Sequence, residues 1–88
     1  MNSEKIKESI AFLKRYGIPD HEFAIYEEKE DAICLEKVNS EWLIYYSERG
    51  SKYPQGWAKD EIQALELFCK IVLHGFLISK FRNLENNK

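Results

Sequence analysis

Apolar residues recur every three or four positions at the start of the chain. Ile6, Ile10 and Leu13 form a stripe that Ala11 and Phe12 widen, the spacing of an amphipathic helix over residues 3–16. Ser3 is the expected N-cap, Gly17 supplies the left-handed residue after the last turn, and Pro19 follows. The period then shortens. Residues 23–26 and 32–38 are β-branched and aromatic, and the charged run 27–31 between them reads as a hairpin tip. Asn39-Ser40 makes a two-residue turn into a third strand, residues 41–46. Counting back from that turn pairs Val38 with Glu41, Leu35 with Ile44 and Ile33 with Tyr46. Ile33, Leu35, Trp42, Ile44 and Tyr46 then share the core face. Cys34, Glu36, Leu43, Tyr45 and Ser47 make the other face, which is mixed rather than polar.

Residues 50–56 read as a loop by their glycines and proline. Trp57 anchors its far end, and a short fourth strand over residues 55–58 is compatible with the pattern. A long helix follows over residues 59–81, with Asp60 and Glu61 where the helix dipole favours anions. Gln63, Glu66, Lys70 and His74 give it a narrow polar stripe, and Ile62, Leu65, Cys69, Val72 and Phe76 a core stripe. Gly75 costs about 1 kcal/mol of helix propensity, so close packing is expected there. Leu67, Ile71, Leu73, Leu77 and Ile78 exceed what one small sheet can cover, which points to a second interface, a homodimer or part of a partner contact. Residues 83–88 are a polar tail expected to fray. The expected fold is a single α+β domain over residues 1–82, ordered α-β-β-β-α. Its antiparallel sheet has three or four strands, with both helices on one face.

Composition narrows the function more than it names it. The 88 residues are 44% hydrophobic and 32% charged, a globular balance with a small core. Thirteen Lys and Arg against fifteen Asp and Glu give −2, which argues against a general nucleic-acid or anionic-membrane binder. The two cysteines lie in apolar runs and make no disulfide framework. No signal-peptide pattern opens the chain, and the apolar stretch 71–78 is short for a membrane span. A cytoplasmic protein is expected.

Catalytic chemistry finds no foothold. Cys34 lies in a strand and His21 in a loop, and nothing in the spacing joins either to His74. No metal-ligand spacing and no glycine-rich phosphate loop occurs. No catalytic residue, cofactor or metal is therefore expected. Double-stranded RNA-binding domains share the α-β-β-β-α order, but they need basic residues opening the second helix, where this chain has Lys59-Asp60-Glu61. Charge is concentrated elsewhere. Asp20, Glu22, Glu27, Glu28, Glu30 and Asp31 stand against Lys29 alone, a local −5 that suits steering toward a basic partner.

The stretch from Trp42 through Tyr45-Tyr46-Ser47-Glu48-Arg49-Gly50, followed by Trp57, Asp60-Glu61, Ala64 and Phe68, is similar to small immunity proteins of bacterial polymorphic toxin systems. The resemblance covers about residues 42–68. It implies a non-enzymatic neutraliser that binds one cognate toxin domain, often a basic nuclease. It also implies that Trp42, Tyr46 and Trp57 are core and that Gly50 takes a backbone conformation other residues avoid. The expected partner-binding residues are Asp20, Glu22, Glu27, Glu28, Glu30, Asp31, Tyr45, Glu48, Arg49 and Tyr53. A homodimeric adaptor is the alternative, with an RNA-binding module third.

Overall fold

The computed structural model describes residues 3–86, with side chains through Leu84. Helix α1 spans Ser3–Arg15, which puts Ser3, the expected cap, within the helix itself. Its other end closes as the sequence indicates. Gly17 takes φ +80°, its N–H donates to the Lys14 carbonyl at 2.9 Å, and the Ile18 N–H donates to the Leu13 carbonyl at 3.2 Å. These two bonds are the Schellman pattern, and Leu13 and Ile18 are buried in the same core.

A one-turn helix, Asp20–Glu22, leads into four strands: β1 (Phe23–Ile25), β2 (Ala32–Val38), β3 (Glu41–Glu48) and β4 (Ser51–Ala58). They lie side by side in chain order. The β2–β3 hairpin has the register counted from its turn, including Leu35 opposite Ile44 and Ile33 opposite Tyr46. Asn39 supplies the turn's positive φ. Helix α2 spans Glu61–Asn86, past the end expected for it and into the expected polar tail. Asp60 sits just before it as a cap, its Oδ1 accepting the Gln63 N–H at 2.9 Å.

Both helices pack on one sheet face. Leu13, Phe23, Leu35, Ile44, Ala64, Leu65, Phe68 and Val72 form the main core there. The architecture is α+β with the expected element order, but the sheet is mixed. β1 runs parallel to β2, with Phe23 opposite Ile33, so residues 26–31 cross over the sheet instead of turning a hairpin. Parallel crossovers usually need a dozen or more residues. Six suffice here because β1 is three residues long and because Tyr26 and Asp31 bend the ends with positive φ, 60° and 57°.

The expected loop at residues 50–56 is instead strand. Arg49 and Gly50, both with positive φ, form a two-residue turn that returns β4 along β3. Gln55 is an extra residue between the pairs Ile44–Gly56 and Tyr45–Pro54, a bulge. An edge strand tolerates both the bulge and Pro54. Gly56 lets α2 approach the edge, since a Cβ there would lie 3.0 Å from Leu67 Cδ2. Gly75 does the opposite of what its sequence position suggests, with nothing within 4 Å of where its Cβ would be. Two core assignments also shift. Trp57 is half exposed, because β4 places it opposite Leu43, on the face the helices leave uncovered. Ile62 is exposed, and the inward stripe of α2 runs through Ala64, Leu65, Phe68 and Val72.

Candidate functional site

The face away from the helices carries a second, smaller core: Ala24, Ala32, Cys34, Leu43 and Tyr45, all buried. The acidic crossover 26–31 roofs it. Lys29 holds that roof down, its Nζ donating to the Asp20 carbonyl at 3.0 Å and the Phe23 carbonyl at 3.5 Å. Beneath it the Cys34 thiol donates to the Lys29 carbonyl at 3.6 Å and lies in hydrogen-bonding contact with the Tyr45 hydroxyl. Burial pushes the Cys34 thiol and the Tyr45 phenol above their ordinary values. Lys52 closes the side. Its Nζ sits 2.9 Å from Glu36, 3.7 Å from Glu28 and 4.9 Å above the Tyr45 ring.

Several residues expected at a partner surface are therefore occupied within the fold. Tyr45 is buried, which removes it from any contact surface. Glu28 pairs with Lys52, Glu30 accepts the Arg49 backbone N–H, and Asp20 pairs with Lys14 at 3.3 Å. The Asp31 N–H donates to the Ser47 carbonyl at 2.7 Å, locking the end of the roof to β3. Arg49 is exposed at the β3–β4 turn and Tyr53 is exposed on β4, opposite Tyr46. Glu27 is exposed on the roof itself.

Asp31 hydrogen-bonds the Tyr46 hydroxyl, and Glu48 and Glu22 act on it through their charge. Burial raises the pKa of that phenol, and the three carboxylates raise it further. They do so at a groove of about 850 Å³ between the sheet and the C-terminal half of α2, lined by Glu22, Asp31, Tyr46, Ile71, His74 and Phe76 among others. Tyr46 is thus a groove residue that the sequence reading placed in the core. His74 stands on α2, while Cys34 faces the roof on the other side of the sheet, so the two are not brought together. Among the described residues no group of three or more His, Cys, Asp or Glu side chains is arranged to hold a metal.

The sequence reading missed Lys29 and Lys52 as the clamps of the roof, and nothing in their spacing marks them. It also missed Tyr26. The Tyr26 side chain reaches the helix side, donating to Glu61 and accepting the Trp42 indole N–H at 2.9 Å. By length and composition residues 61–84 of α2 are also apolar enough to cross a membrane, with a mean hydropathy of 1.5. The first half of that segment is the core helix of this domain. No family model, curated protein or solved structure matches the chain.

Proposed function

We propose that this protein is a cytoplasmic, stoichiometric inhibitor of the immunity-protein kind, which binds one basic toxin domain without catalysis. The observation that carries the reading is an open groove lined by Glu22 and Asp31 beside Tyr46, whose phenol also feels the charge of Glu48. Carboxylates grouped at a concave, partly apolar site attract and orient a cationic partner. Glu27 stands with Glu28 over Tyr45 on the other face of the sheet, and Glu28 and Glu30 serve the roof. The test follows from this division. Glu22→Lys and Glu48→Lys together are expected to slow association with the neighbouring gene's product markedly at low salt and to flatten its salt dependence. Glu28→Gln alone leaves the rate near wild type. An unchanged rate in the double variant overturns the reading. Cys34→Ala and His74→Ala are expected to keep full protection, and loss of protection by either with the fold intact would show chemistry instead of binding.

A further inference from the structure

Helix α2 is amphipathic twice, in opposite directions. At about 100° per residue, positions seven or eleven apart share a face. In the first half Phe68 and Val72 point into the core while Glu66, Lys70 and His74 point to solvent. Beyond Gly75 the pattern inverts. Ser79 and Arg82 continue the face of Phe68 and Val72, and Leu77, Phe81 and Leu84 continue the face of Lys70 and His74. The helix is roughly 39 Å long against roughly 20 Å for α1, so its last turns outrun the body that α1 helps to build. Their apolar side turns away from this chain's own sheet.

That side is bare. Leu77 is 51% exposed, Phe81 59% and Leu84 70%. The same stripe leads back through half-buried Leu73 to a second groove, of about 380 Å³, between α1 and α2. Phe12, Leu65, Cys69 and Leu73 give it an apolar lining, and Lys5, Glu8, Glu66 and Lys70 stand at its polar positions. Phe12, 36% exposed, packs against half-exposed Tyr16 at 5.0 Å between ring centroids. One molecule thus carries both a projecting apolar ridge and an apolar groove in line with it.

We infer that this surface is a two-fold interface between two copies of the chain, in which the α2 helices pair antiparallel about Leu77 and each seats Phe81 and Leu84 in the α1–α2 groove of the other. Centring the pair on Leu77 sets Phe81 opposite Leu73 of the other copy and Leu84 opposite the stem of Lys70. The arrangement is isologous, as a closed dimer requires. The area is also sufficient. At about 200 Å² per large side chain, the exposed parts of Phe12, Tyr16, Leu77, Phe81 and Leu84 come to roughly 500 Å² per copy. Two copies therefore bury about 1,000 Å², the threshold for a specific interface. The groove around Tyr46 opens toward the sheet, and its α2 wall, Lys70 and His74, borders the paired helix face.

Sedimentation equilibrium of the full chain tests the inference without any partner. A dimer of the 10.4 kDa chain is expected at micromolar concentration. Phe81→Glu with Leu84→Glu is expected to weaken it about a hundredfold, the scale of losing a central apolar anchor, with helicity retained. In a Cys69→Ser background, Leu77→Cys is expected to form a symmetric intermolecular disulfide. A wild-type monomer at about 100 μM overturns the inference, as does a dimer untouched by the double substitution. A monomer that cosediments with phosphatidylcholine vesicles overturns it too, in favour of a lipid surface.

Discussion

The two faces of the sheet are closed by different physics. On one, two helices lay aliphatic and aromatic side chains over Phe23, Leu35 and Ile44, and water is excluded by apolar area alone. On the other, Cys34 and Tyr45 are as fully buried, yet their cover is a six-residue acidic segment held by two lysines. Burial on the first face is driven by the buried area. On the second it depends on a few directional contacts, each modest because each is partly solvated. The same degree of burial can therefore rest on unequal foundations.

Substitutions should separate the faces in proportion. Phe68→Ala is expected to cost about 3–5 kcal/mol in urea unfolding, as a cavity in close-packed aromatic surroundings. A loss below about 1 kcal/mol would mean that the helix face is loosely packed. Lys29→Met is expected to cost about 1 kcal/mol through its carbonyl contacts and, more tellingly, to speed modification of Cys34 by a thiol reagent. If labelling is unchanged, the roof does not depend on that amine.

Alkaline pH sharpens the contrast. Burial raises Cys34, Cys69, Tyr26, Tyr45 and Tyr46, and hydrogen bonding to Glu36 raises Lys52. Each raised group contributes stability that is full below its ordinary value, 9.0 for the thiols and 10.0 for the phenols. That stability is lost as pH climbs through the folded value. The urea midpoint is expected to fall from about pH 9 upward, the ordinary thiol range. Tyr45→Phe should flatten that fall more than Tyr46→Phe, since Tyr45 lies in the roofed core. Equal slopes would assign the loss to the groove side instead. The smallest effect is Lys52→Met, a slight lowering of the urea midpoint because its ion pairs are exposed, read from the same urea curves.

How much of this was legible depended on the range of the interaction. Local chemistry was readable: the Gly17 cap, the Asn39-Ser40 turn and the β2–β3 register all follow from residues within a few positions of one another. The parallel β1 was not, because an acidic run between two short apolar segments looks the same whether it turns back or crosses over. β4 was hidden by Pro54 and two glycines, whose cost an edge strand with a bulge does not incur. For the candidate site, the acidic composition of residues 20–31 marked the segment that supplies Glu22 and Asp31 to the groove. Which carboxylates remain available was set by Lys52, Lys14 and the Arg49 amide, all distant in sequence. The inversion along α2 was readable by carrying the helical period past His74 to Phe81 and Leu84.

The short crossover has a consequence for how the protein breathes. β1 pairs with β2 alone, and its two connections, the one-turn helix and the roof, are tied together by Lys29 through the Asp20 and Phe23 carbonyls. Residues 18–31 are expected to open as one segment at the rim of the sheet, taking Ile18 and Phe23 out of the helix-side core, while the β2–β3–β4 meander stays paired. Such sub-global opening exposes amides in blocks. Deuterium uptake should therefore rise together for residues 23–26 and 29–33, at a lower free energy than for β3, and Cys34 should become reactive in the same event.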